Sequence, residues 1–170
     1  MKNYDYIIGI DPDRIQSGVA ILEPKNRRFC SVESLRFPIA IERVLRVKFK
    51  CETSKRITGV ERTFIVVVEA GWLVKKSNFH DAQGRRAEKI AKDVGANHET
   101  GRKIIEMCEH FGVNVVEQAP LIKCWKGSDR KITAEELKAI TGWDKRTNQD
   151  ERDAALMAWY YSDLPIRLSV

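Results

Sequence analysis

This sequence of 170 residues predicts an α/β fold, one mixed five-stranded sheet with helices on both faces. Three observations carry that expectation. Tyr6, Ile7, Ile8, Gly9 and Ile10 form an apolar run, and so do Phe64, Ile65, Val66, Val67 and Val68, as strands covered on both faces must. Between and after these runs lie segments whose apolar residues recur at helical spacing. The resulting order, β-β-β-α-β-α-α-β-α-α, fits a single sheet sandwiched between helices.

The first strand spans residues 6–11. Residues 12–17 make a polar turn, and Gly18 admits the chain to Val19, Ala20, Ile21 and Leu22. A turn at 24–27 leads into 28–37, so three strands form an antiparallel meander. Pro38 suits a helix start, where its missing N–H costs nothing. Ile41, Val44, Leu45 and Phe49 give that helix an apolar face to about Cys51. Gly59 lies in the connection to the strand at 62–69.

After a polar stretch comes a helix with Ala87, Ile90, Ala91 and Val94 as its stripe. A separate helix over 97–110 turns Gly101, Ile104, Ile105 and Cys108 inward, and a glycine there suits close approach of another element. Gly112 ends it, and residues 113–117 form the fifth strand. Residues 120–130 are a lysine-rich loop bearing Trp125. Thr133 with Glu136 forms a capping box for a short helix carrying Leu137 and Ile140, which Gly142 stops. Asn148 with Glu151 forms another, opening a last helix through about Tyr161, with Ala154, Ala155, Ala158 and Trp159 toward the sheet.

The length suits one domain over residues 1–170. Thirty basic and 24 acidic side chains leave a formal charge of +6, which favours an anionic partner such as nucleic acid. Cys30, Cys51, Cys108 and Cys124 lack Cys-x-x-Cys spacing, so they read as reduced and mostly buried, with neither zinc nor a disulfide framework. The amino terminus runs straight into the first strand, and no apolar run reaches the roughly 20 residues of a membrane span. A cytoplasmic protein, or a bacteriophage protein acting in the host cytoplasm, is expected.

Acids stand at telling places. Asp11 and Glu69 close the two apolar runs, and Asp150 and Asp153 open the last helix on one face. An acid ending a buried strand is unfavourable unless a cation neutralises it. A pair of divalent metals would do so. Each acid also has a plainer reading: a turn cap for Asp11, a lysine partner for Glu69, a complement to the helix dipole for Asp150 and Asp153.

Ile8-Gly9-Ile10-Asp11-Pro12, Val66-Val67-Val68-Glu69 and Asp150-Glu151-Arg152-Asp153-Ala154-Ala155 resemble, in order and spacing, the three acidic motifs of RuvC-type Holliday junction resolvases, in the ribonuclease H-like superfamily. Plastid and bacteriophage resolvases of that superfamily are similar too. The bacterial resolvases usually carry glycine where this chain has Asp13, which reads as a fifth acid or a turn residue.

The resemblance implies a ribonuclease H-like fold with the first strand between the second and the Glu69 strand. It also implies a homodimer that nicks four-way DNA junctions symmetrically, leaving 5′-phosphate and 3′-hydroxyl ends. Asp11, Glu69, Asp150 and Asp153 become catalytic and metal-ligating residues for two Mg²⁺ ions, or Mn²⁺ in their place, roughly 4 Å apart. Asp11 would bridge the two ions.

Phosphate contacts are expected from Arg85, Lys89 and Lys92 on one helix face, and from Lys123, Lys126, Arg130 and Lys131 in the late loop. Lys145, Arg146 and Arg152 flank the acids. Trp72 and Phe79 are candidates for stacking on opened bases, with a dimer contact or core plug as the rival reading. Glu117 is a weaker candidate. Neither the dimer surface nor a helicase partner is legible in these residues. Three other functions compete: a nuclease for RNA–DNA hybrid or another nucleic acid, an inactive nucleic-acid-binding module, and an actin-like nucleotide binder.

Overall fold

The structure, a computed structural model, describes residues 2–74 and 85–166. Its strands are β1 (Tyr6–Asp11), β2 (Ser17–Glu23), β3 (Arg28–Leu35), β4 (Phe64–Glu69) and β5 (Val115–Gln118). They form one sheet in the order β3-β2-β1-β4-β5. The first three make the expected antiparallel meander, while β4 pairs parallel with β1 and β5 parallel with β4. This mixed sheet, with helices on both faces, has the ribonuclease H-like α/β arrangement.

Side chains alternate along a strand, so the pairing register sorts each run between two cores. Ile7, Ile65 and Val67 join Ala154, Ala155, Ala158 and Trp159 of α4 (Gln149–Tyr161) in one layer. Ile8, Ile10, Val66 and Val68 join the other layer, with Val44 of α1 (Phe37–Thr58) and Ile104 and Cys108 of α2 (Arg85–His110). Asp11 and Glu69 continue the odd-numbered series. With Ile10 opposite Val68, both acids leave the sheet at one end, toward α4.

Two glycines bring α4 that close. A Cβ on Gly9 would overlap the Ala154 carbonyl oxygen, and one on Gly18 would overlap the carbonyl of Asp150. The helix backbone therefore rests directly on β1 and β2. Its start is fixed by the expected capping box: Glu151 N–H donates to Asn148 Oδ1 and Asn148 N–H to Glu151 Oε2, each at 2.9 Å. The other box opens α3 (Ala134–Thr141), where Thr133 Oγ1 accepts from Glu136 N–H at 3.2 Å.

Several boundaries differ from the sequence reading. The helices expected on either side of Gly95 are one helix, α2, of 26 residues. Gly95 meets no neighbour, and Asn97 accepts from the Arg14 N–H (3.0 Å) instead of capping a new start. Ile90 and Ala91 are exposed, so the first half of α2 buries little of its stripe. Helix α1 runs on to Thr58, where Gly59 closes it at φ +70°. Phe49, expected on its apolar face, is 65% exposed. Phe37 belongs to α1 and not to β3, and β5 begins at Val115. Cys51 and Cys108 are buried as expected, but Cys30 and Cys124 are exposed. Among the described residues, no helix is long and apolar enough to cross a membrane.

Candidate metal and nucleic-acid site

At the carboxyl ends of β1 and β4 lies a pocket of ≈ 230 Å³. Asp11, Asp13, Glu69, Asp150 and Asp153 line it together with Lys131 and Lys123. The four acids singled out from the sequence thus line one pocket from β1, β4 and the first two turns of α4. Glu151, their neighbour, serves the cap instead. The division follows from helix geometry, because positions 150 and 153 share a face that 151 does not.

Burial pushes the Asp11 carboxyl well above the ordinary carboxylate range, and the charges of Glu69, Asp153 and Asp150 push it further. Asp150 is raised in the same way, first by burial and then by Asp13. Lys131 opposes both shifts. Its ammonium lies 3.6 Å from Asp153 Oδ2, while Gln149 Nε2 donates to Asp153 Oδ1 at 2.8 Å. Lys131 entered the sequence reading as one phosphate contact in a loop of several. Here it is a cation set among the acids, in contact with Asp153.

The donor set is all hard oxygen, which suits Mg²⁺ or Mn²⁺. The acids are nevertheless not drawn to one point: among the described residues, no group of three or more His, Cys, Asp or Glu side chains is arranged to hold a metal ion. Like charges in one pocket repel one another, and the Lys131 ammonium and the Gln149 amide both lie against Asp153. The residues fit a divalent ion by chemistry and by shared pocket. Closing on one requires side-chain adjustment.

Asp13 combines the two roles expected of it as alternatives. Its Oδ1 accepts from the N–H groups of Ile15 (2.8 Å) and Gln16 (3.3 Å), and the residue also lines the acidic pocket. Trp72 is held by its surroundings: its indole N–H donates to Glu117 Oε2 at 3.0 Å, and Arg102 lies 5.0 Å from its ring centre. Gly101 makes room for that ring, since a Cβ there would meet Trp72 Cζ3 at 2.8 Å. His98 was set aside in the sequence for want of ligand spacing. It packs edge-on to Trp72 (5.7 Å) and lines a small cavity of ≈ 100 Å³ with Asp11 and Glu69. No sequence spacing announces that contact, which depends on where α2 crosses β4.

The cations divide into two groups. Lys89, Lys92, Lys123, Lys126, Arg130, Lys145 and Arg146 are exposed. Arg152 is committed inward, donating to the carbonyls of Ile132 (3.0 Å) and Thr147 (2.7 Å) and to Gln149 Oε1 (2.9 Å). It braces the loop before α4. Phe79 and the Arg85 side chain lie outside the described residues.

No family model matches the chain, and no curated protein matches it. Among solved structures it is similar to Thermus thermophilus RuvC in complex with a Holliday junction substrate. Identity is 16% and the TM-score 0.49, over 91% of this chain and 90% of that one. Another Thermus thermophilus RuvC structure is 17% identical with a TM-score of 0.44, over 94% of this chain and 97% of that one.

Proposed function

We propose that this chain is a metal-dependent endonuclease of branched DNA, acting as a homodimer that resolves four-way junctions by paired nicks. One observation carries the reading: carboxylates from β1, β4 and α4, far apart in sequence, line one pocket in a protein of net charge +6. Asp11, Glu69, Asp150 and Asp153 would hold the divalent ions. When bound, such ions supply the Lewis acidity that activates water and offsets charge on a leaving oxygen.

The chain's own residues do the rest. Asp11, held above the usual carboxylate range by burial and then by the charges of its neighbours, would gain from a cation held at the carboxyl end of β1. The α4 cap fixes where Asp150 and Asp153 point. Lys131 would offset part of the repulsion between the acids and an incoming phosphate. Lys123, at the same pocket, and Lys126, further along the loop, hold the DNA backbone.

The test compares an immobile four-way junction, a linear duplex and an RNA–DNA hybrid, each with Mg²⁺, Mn²⁺ or EDTA. Metal-dependent paired nicks on the junction, leaving 5′-phosphates, are expected. Preferential cleavage of hybrid would move the reading to a ribonuclease. Tight junction binding with no cleavage in either metal would make the chain a binding module.

A further inference from the structure

Beside the acidic pocket lies a second hollow of ≈ 500 Å³ whose walls are apolar. Pro120, Leu121, Ile122, Trp125 and Leu156 line both hollows, and Tyr160 of α4 lines only the second. Leu121 and Trp125 also pack on the core beneath, so folding accounts for them. It does not account for Ile122, which is 87% exposed, or for Tyr160, which is 46% exposed. Ile122 and Tyr160 join Leu121, Trp125 and Leu156 in one contiguous apolar surface, with Lys123 directly after Ile122, and such a surface marks a contact made in a complex.

We propose that this trough receives one unpaired nucleobase of the strand whose phosphate enters the acidic pocket, an inference that rests on the nuclease reading above. The chemistry of a base fits it: flat apolar faces for Trp125, Tyr160 and Ile122, and a polar edge for Gln118, which also lines the trough and whose Nε2 donates to the Ala119 carbonyl at 3.2 Å. Continuity chooses the occupant. Ile122 is one of five residues that line both hollows, so an occupant of the trough lies directly beside the acidic pocket. Lys123 follows it directly and lines the acidic pocket, placing a phosphate-binding cation beside a base-binding wall. A nucleotide has both parts at the right ends. The trough would then contribute base preference at the cleaved position, which phosphate contacts by themselves do not supply.

The experiment measures junction cleavage in Mg²⁺ with an abasic nucleotide installed in turn at each position flanking the cleaved phosphate. Wild type is compared with Ile122→Ala and Tyr160→Ala. Both side chains are exposed, so neither truncation opens the core. One position is expected where loss of the base slows wild type about tenfold. At that position the same loss should slow the two variants by no more than about twofold, since wall and base belong to one contact. An abasic profile unchanged by both variants overturns this inference alone. Variants that sediment as a smaller species with the profile intact would give the trough to a second copy of the chain and likewise overturn it. Absence of cleavage of any nucleic acid by wild type would overturn the nuclease reading, and this inference with it.

Discussion

Asp11 ends a strand in which every other side chain is apolar or absent, and that contrast is why it was legible from sequence. Glu69 is legible for the same reason. Lys131 and His98 were not, because one lysine in a lysine-rich loop and one histidine on a helix acquire meaning only once the fold sets them beside the acids. The Asp11 environment has a thermodynamic consequence. An acid whose folded pKa lies above its unfolded value binds its proton more tightly in the fold. Its contribution is therefore favourable at low pH and is lost as pH rises from the ordinary carboxylate range through the raised value; Asp150 acts in the same direction. In EDTA, the stability that Asp11 and Asp150 contribute should fall as pH rises from about 4 toward 7, so wild type should lose stability relative to Asp11→Asn over that range. Asp11→Asn removes the buried charge. At neutral pH it should raise Tm by about 2–4 °C, the effect of roughly 1 kcal/mol in a chain this size, while abolishing cleavage and sparing DNA binding. Melting curves across that pH range check the sign: a variant less stable than wild type at pH 7 would mean that the carboxylate supports the fold.

Elements obey their local signals here, with one instructive exception. Both capping boxes were legible because a side-chain acceptor three residues before its partner is a complete local instruction. The break expected near Gly95 did not occur. One glycine in a helix costs about 1 kcal/mol, and the burial of Ile104 and Cys108 in the second half of α2 outweighs it. The end of α1 was invisible for a different reason: beyond Cys51 the helix is mostly exposed and carries no stripe, so only Gly59 marks where it stops. The closest fit between elements, α4 on β2, left no trace in the periodicity. Gly18 allows it, since any Cβ would strike the backbone of Asp150. Gly18→Ala should therefore destabilise the fold by about 1–3 kcal/mol and move the start of α4, taking Asp150 with it. Asn148→Ala tests the same helix differently: it loses a cap worth about 1 kcal/mol without introducing a clash. Denaturant melts with parallel cleavage assays separate the two. Gly18→Ala should lose more of both stability and activity, and a reversed order would mean that the cap, not the close approach, seats the helix.

At the scale of the whole molecule, five acids occupy one pocket while the chain carries +6, so the excess of cations lies elsewhere on the surface. Composition gave the sign of that excess but not its distribution. Burial was misjudged for two cysteines because Cys30 lies on an edge strand and Cys124 on a loop, where neighbouring residues say little about enclosure. Iodoacetamide in mildly alkaline buffer should label Cys124 in the folded protein and, more slowly, Cys30, whose thiol is pushed up by partial burial and then by the Glu23 charge. It should spare Cys51 and also Cys108, whose thiol burial pushes up to about 11; labelling of Cys108 before unfolding would contradict its enclosure. The charge distribution makes the sharper prediction. A cation that neutralises one phosphate contributes about 0.9 to the slope of log affinity against log salt. Lys126 is exposed, yet its backbone N–H is held by the Glu136 carboxylate at 3.2 and 3.3 Å, so a fixed loop presents an exposed lysine. Lys126→Ala should weaken junction binding most at low salt and reduce the slope by about 0.9, with the two binding curves converging as salt rises. Arg152→Ala should instead lower Tm with little change in slope, because all three of its donor contacts are internal. Titrations in the cleavage-silent Asp11→Asn background keep the junction intact during measurement. An unchanged slope for Lys126→Ala would remove that loop from the DNA-facing surface and leave Lys89 and Lys92 of α2 as the cations to examine.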